Sequence, residues 1–234
     1  MRSSRPRPVV AIDGPAGAGK STVARRVADT LGFVLVDTGA MYRTVALAAN
    51  RAKVSWNDGA AMGALAEGLV ERRALAFGPD RERGVRIELD GDDVTDAIRA
   101  PAIGMGASTV SAHPEVRRAL LGLQRSAGHA GGVVLEGRDI GTVVFPDAEA
   151  KFFLTARPEV RARRRHAELV AKGVAASLED TLRDVQTRDE QDTRRQAAPL
   201  KQAPDALLVD SSELTVDETV ARIVEQVRAQ SHGL

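Results

Sequence analysis

Eight consecutive residues, Gly14-Pro15-Ala16-Gly17-Ala18-Gly19-Lys20-Ser21, have the types and spacing of a phosphate-binding loop, G-x-x-x-x-G-K-[ST]. Glycines let backbone N–H groups turn inward around an anion, and a helix N-terminus adds partial positive charge. In such a loop Lys20 reaches the terminal phosphates, and the Ser21 hydroxyl holds Mg²⁺. Thr22 counts with the loop as a nucleotide contact. A Gly-rich turn with a chance lysine would need no particular flanks, and here both flanks fit. The chemistry implied is nucleoside-triphosphate binding.

The loop needs a strand before it and a helix after it. Pro8-Val9-Val10-Ala11-Ile12 is a short apolar run that reads as a buried parallel strand. Ser21 to Leu31 carries Val23, Ala24, Val27, Ala28 and Leu31 at helical spacing. Phe33-Val34-Leu35-Val36 is a second strand, ending at Asp37-Thr38-Gly39. A helix over Gly39 to Asn50 follows, with Tyr42 and Arg43 in its first turn. Ligands gather at the carboxyl ends of parallel strands, which puts Thr38 and Arg43 on the rim of the loop. A lone arginine there is otherwise an ordinary solvated one.

The composition limits the alternatives. The 234 residues are 43% hydrophobic and 28% charged, the mix of a soluble globular chain of one to two domains. A net charge of +1 offers no global field for nucleic acid, and seven aromatics leave few stacking platforms. Without cysteine there is no disulfide and no thiolate metal site. No stretch approaches membrane-spanning length, so a cytoplasmic protein with no nucleic-acid or membrane partner is expected.

Downstream, Ser55 to Leu69 reads as a helix capped by Asn57 or Asp58. Between Ala74 and Arg99 the texture becomes a small antiparallel meander, with Val85, Ile87 and Leu89 alternating onto one face. Helices follow at Pro101 to Ser111 and Pro114 to Arg125, carrying Ser108 and Arg117. Gly132 to Leu135 is a strand that ends in Glu136-Gly137-Arg138-Asp139. A strand ending in a carboxylate resembles the acidic strand end that positions Mg²⁺ water in phosphate-loop proteins, which makes Glu136 the candidate, with Arg138 and Asp139 extending into the cleft. Lys151 to Leu154 is a fourth strand, and Pro158 opens a helix with Arg157, Arg161, Arg163, Arg164 and Arg165 around its first turns. Charge pattern leaves two readings open, a solvated basic face or a lid that closes over the transferred group. Arg188, Asp192 and Arg195 share one face of a polar helix over Leu178 to Arg195, as a salt-bridge ladder or as part of a site. Leu207 to Asp210 is the fifth strand, and Thr215-Val216-Asp217-Glu218 is a capping box opening the last helix. His113, His129, His166 and His232 show no ligand spacing and are expected at the surface. Alternating strands and helices around the loop imply an α/β, three-layer P-loop kinase fold: a five-stranded parallel sheet, a small antiparallel β insertion and an arginine-rich helical lid.

Four runs together resemble the bacterial cytidylate kinase family: Asp13 to Ser21, Asp37 to Arg43, Glu136 to Pro146, and Arg188 to Leu200. The likeness covers about Val9 to Val227, and the last three runs are far more specific than the loop. It implies ATP-dependent phosphorylation of CMP and dCMP. Arg43, Arg138 and Arg195 would bind the acceptor phosphate, and Arg188 and Asp192 the sugar. Ser108, Arg117 and Asp139 would read cytosine, with Arg157, Arg161 and Arg165 in the lid. Lys20, Arg138, Arg161 and Arg165 would act on the transferring group. The family often has serine where Thr38 stands and aspartate where Glu136 stands, and both replacements keep the functional group. The implied division is a core at 8–54 and 130–230, an acceptor-binding region at 55–129 with its β insertion at 74–99, and a lid at 157–175. A monomer is expected.

What is missing fits as well. A nucleoside monophosphate is mostly dianionic at pH 7, its second pKa being about 6, and needs no base to attack. Positioning and cationic stabilisation suffice, which suits an arginine-rich, histidine-poor inventory. A kinase for a shikimate-like hydroxyl is the nearest rival, but it leaves the meander and the Arg188/Asp192/Arg195 face unexplained; UMP stays open as an alternative acceptor. A guanine-nucleotide switch would need Asn-Lys-x-Asp, whereas Asn50 and Asn57 precede Arg51 and Asp58.

Overall fold

The computed structural model describes residues 5–80, 84–171 and 173–231. Residues 1–4, 81–83, 172 and 232–234, His232 among them, lie outside these. Five parallel strands form the main sheet: β1 (Val9–Asp13), β2 (Val34–Asp37), β6 (Val133–Gly137), β7 (Ala150–Thr155) and β8 (Leu207–Asp210), in the order β2-β6-β1-β7-β8. β1 is central. Its Val9 and Ala11 face one layer and its Val10 and Ile12 the other, all fully buried. That period-2 split of an unbroken apolar run is what a strand covered on both sides requires.

One outer layer is α1 (Lys20–Leu31) packed on α8 (Val216–Ser231). α1 stops at Gly32, whose left-handed backbone (φ +61°) returns its N–H to the carbonyls of Ala28 and Asp29. α8 opens with the capping box as read: Thr215 N–H donates to Glu218 Oε2 at 2.8 Å and Glu218 N–H to Thr215 Oγ1 at 3.2 Å. The other layer holds α2 (Thr38–Arg51), α3 (Gly59–Glu71), α4 (Pro101–Val110) and α5 (Pro114–Gly128). The meander is a separate antiparallel sheet of β3 (Leu75–Asp80), β4 (Gly84–Leu89) and β5 (Asp92–Asp93). Val85, Ile87 and Leu89 are its buried row, as their alternation required. α6 (Pro158–Ala171) and α7 (Leu178–Arg194) pack on each other beside the carboxyl rim of the sheet.

Several boundaries differ from the sequence reading, each for a local reason. α2 begins at Thr38 because Asp37 caps it, accepting the N–H of Ala40 at 3.0 Å. α3 begins at Gly59, not Ser55, because Asp58 accepts the N–H of Ala61 at 3.0 Å. Such a cap contributes about 1 kcal/mol, more than the weak propensity of the residues before it. Trp56 is held outside the helix by its indole N–H, which donates to the Ala46 carbonyl at 3.0 Å. A π-type turn over Ile140–Val144 had no counterpart in the sequence reading. His113 and His166 are half-buried, each with a ring nitrogen on a backbone carbonyl. No helix among the described residues is long and apolar enough to cross a membrane.

Candidate active site

The loop after β1 is shaped by two close approaches. A Cβ at Gly14 (φ +151°) would sit 1.9 Å from the Leu154 carbonyl oxygen, and one at Gly17 (φ +74°) 3.2 Å from the Arg161 Cβ. Only glycine fits either place without the wall moving. Lys20 opens α1 almost fully buried, and its Nζ donates to the Pro15 carbonyl at 2.7 Å. The Ser21 hydroxyl donates to Glu136 Oε2 at 3.0 Å. Burial, then the nearby Arg138, lowers the Lys20 pKa to about 7. Burial, then the Asp37 carboxylate, raises that of Glu136 to about 7. Glu136 Oε1 is buried without a hydrogen-bond partner. A hydroxyl beside a half-satisfied carboxylate is an all-oxygen corner, and it fits a hard divalent cation.

A cavity of about 760 Å³ opens at this rim. From the loop and first turn it is lined by Ala16, Gly17, Gly19, Lys20, Ser21 and Thr22. α2 contributes Thr38 and Arg43, α4 Ser108 and α5 Arg117. The end of β6 contributes Glu136, Arg138 and Asp139, α6 contributes Arg165, and α7 with its last turn contributes Arg188, Asp192 and Arg195. Residues scattered over more than 170 positions of sequence are thus brought to one volume (from Ala16 to Arg195). Gly14, Pro15 and Ala18 do not line it; they shape the loop from behind.

Charge is sorted within the cavity. Burial, then repulsion from Arg165 and Arg43, pushes the Arg188 pKa down, and burial likewise lowers Arg43, which feels Arg165 and Arg138. Cations held this close in a dry wall call for an anion. At the other end Arg117 is ion-paired with Asp139, and its guanidinium lies 5.5 Å from the Tyr42 ring centre. Arg138 Nε donates to Asp192 Oδ2 at 2.7 Å. Arg195 lies 3.7 Å from both Asp139 and Asp192, and its buried Nη2 has no hydrogen-bond partner. Ser108 Oγ donates to Gln191 Oε1 at 3.1 Å. The cleft thus has an anion-seeking end and an end where carboxylates and arginines offer hydrogen bonds of both senses.

The family model described as cytidylate kinase matches residues 10–229. The chain belongs to the cytidylate kinase family. A curated cytidylate kinase of Geobacter sulfurreducens is 52% identical, covering 96% of this chain and 94% of its own. One of Neisseria gonorrhoeae is 49% identical, over 94% of this chain and 97% of its own. Among solved structures, a shikimate kinase of Bacteroides thetaiotaomicron gives a TM-score of 0.46 at 16% identity, covering 94% of this chain and 98% of that one; so slight a likeness carries no argument.

Within the family pattern, Thr38 in place of the frequent serine donates its hydroxyl to the Glu136 backbone carbonyl at 2.7 Å, tying the start of α2 to β6. Two of the arginines grouped as a lid are placed otherwise. Arg161 is 3% exposed and does not line the cavity. Its guanidinium donates twice to Asp189, at 2.9 and 2.6 Å, once to the Ala16 carbonyl at 3.0 Å and once to the Ala156 carbonyl at 2.8 Å. With its donors so committed, it braces the loop from outside the cavity lining. Arg157 pairs with Glu213 outside the cavity. Arg165 does line it, while pairing with Glu168 at 3.1 Å. Sequence reasoning passed over Asp13, Asp189 and Lys151. Lys151 is nearly buried and holds the Pro146 carbonyl and Asp205. For Asp13 and Lys151 the available signal was a charged residue inside or ending an apolar strand, which a packed sheet accepts only with partners; Asp189, on the polar helix α7, carried no such signal.

Proposed function

We propose that this protein transfers the γ-phosphoryl group of ATP to CMP and dCMP, by direct in-line attack of an acceptor phosphate oxygen. The bond from the γ-phosphorus to its bridging oxygen breaks as the new P–O bond forms, and ADP leaves with CDP. No base is needed, since the attacking oxygen is already deprotonated at pH 7. The observation that carries this reading is the sorted cleft: mutually repelling Arg43, Arg138, Arg165 and Arg188 beside Lys20, with Asp139 and Arg117 at the far end.

In this reading the loop, Gly14 to Thr22, holds ATP. Arg43, Arg138 and Arg195 hold the acceptor phosphate, Arg188 and Asp192 the sugar, and Ser108, Arg117 and Asp139 the base, with Thr38 bracing the acceptor side. Ser21 directly and Glu136 through water would hold Mg²⁺, which neutralises charge on the β- and γ-phosphates when bound. Arg165 closes on the transferring group, and Arg161 serves it by fixing the loop. The protein acts as a cytoplasmic monomer without nucleic acid or membrane. The test is ADP production with CMP, UMP, shikimate or no acceptor: CMP should give the fastest turnover, and turnover with shikimate or with no acceptor above that with CMP would overturn the reading.

Arg165 offers a finer check. Arg165→Ala should lower kcat by about a hundredfold or more while KM for CMP changes little, because such arginines contribute mainly in the closed, transition-state-like complex. A raised KM with unchanged kcat would move Arg165 to the acceptor site.

A further inference from the structure

Asp139 stands immediately before the turn Ile140–Val144, where an aspartate ordinarily folds its carboxylate back onto the first free N–H groups. It does not do so. Its side chain makes no cap bond; its carboxylate is paired with Arg117 and lies 3.7 Å from Arg195. The cap comes from another strand. Asp13, the last residue of β1 and 127 positions from Ile140, accepts the N–H of Ile140 at 2.8 Å and that of Gly141 at 2.7 Å, one on each oxygen. Asp13 is 4% exposed, and burial pushes its carboxyl up to about 6. A carboxylate this deep is unfavourable unless its hydrogen bonds repay it, and two N–H groups on two oxygens do so. The transfer reaction itself makes no use of it.

We infer that Asp13 is a positioning residue for acceptor specificity. By capping the Ile140–Val144 turn in place of Asp139, it keeps the Asp139 carboxylate in the cavity, facing the acceptor base. This rests on the reading of Asp139 as a base contact. Without the Asp13 carboxylate, two buried N–H groups are left short of acceptors, and the Asp139 side chain is the adjacent carboxylate in the capping position. Asp139 then divides its time between its own turn and the cavity, and base discrimination falls. The same contact ties the loop that starts at Gly14 to the turn that directly follows Arg138 and Asp139.

The experiment measures kcat/KM with CMP and with UMP for Asp13→Asn, Asp13→Ser, Asp139→Asn, and the double variant Asp13→Asn/Asp139→Asn. Asparagine keeps the volume but offers one acceptor, and serine offers one hydroxyl at shorter reach, so the second serves if the first fails to fold. Each Asp13 variant should lower the CMP/UMP ratio about tenfold, chiefly through CMP. In the double variant the ratio should fall no further than in Asp139→Asn alone, because Asp13 acts through Asp139. A role in stability alone would lower both acceptors alike and leave the ratio fixed. An unchanged ratio in the Asp13 variants, with a shifted one in Asp139→Asn, overturns the inference, as do additive effects in the double variant. An unchanged ratio in Asp139→Asn removes the base-reading assignment itself.

Discussion

Lys20→Ala should abolish most turnover, lowering kcat by a hundredfold or more, with the fold intact. Removing one preorganised charge from a developing phosphoryl transition state costs about 3 kcal/mol or more. The fold should survive because Lys20 is a liability to it. Its folded pKa, about 7, lies below the usual 10.5, so the unfolded chain binds more protons between those values and stability rises with pH across that window. Glu136 runs the other way: its folded pKa, about 7 against 4.5, makes stability fall as pH rises from 4.5 to 7. The two slopes meet near neutrality, where the apo pair contributes least. ATP relieves this, since the triphosphate favours the ammonium form. Above the lowered Lys20 pKa, nucleotide binding should take up protons, read by calorimetry in buffers of differing ionisation enthalpy. Lys20→Ala should take up none. Near-normal turnover of the variant, with an unchanged circular dichroism spectrum, would end the phosphate-loop assignment.

CMP should be preferred over UMP by roughly two orders of magnitude or more in kcat/KM, the scale of one or two mismatched hydrogen bonds in a dry site. Cytosine presents an amino donor at position 4, where uracil presents a carbonyl acceptor. The Asp139 carboxylate attracts the first and repels the second, and Arg117, paired with it, can donate to N3 or O2 of cytosine. Ser108, held by Gln191, completes the set. Asp139→Asn should shrink the ratio mainly by losing CMP activity, since an amide can donate to O4 of uracil. The substitution also leaves Arg117 and Arg195 with less countercharge, so both acceptors lose some rate. The ratio is therefore the diagnostic quantity, and constancy of that ratio would leave Asp139 as a support for its arginine neighbours only.

Much of this protein was legible without coordinates. The loop motif, its strand and helix flanks, the alternation of Val85, Ile87 and Leu89, and the capping box at Thr215–Glu218 are local patterns. Each is fixed by backbone geometry within a few residues, so spacing alone reports it. Motif resemblance went further and named residues far apart in sequence. What it could not convey is which groups spend their charge on each other. Arg161 and Arg165 are one helical turn apart and look equivalent in the chain. Only the packing of α6 on α7 and the loop turns one onto Asp189 and the Ala16 carbonyl, and leaves the other lining the cavity. Asp13 and Asp139 are likewise two acidic residues at strand ends, and only the pairing of β1 with β6 makes one the cap for the other's turn. Periodicity reads contacts along an element; a carboxylate's partner across the sheet depends on strand order and register, which no local pattern encodes.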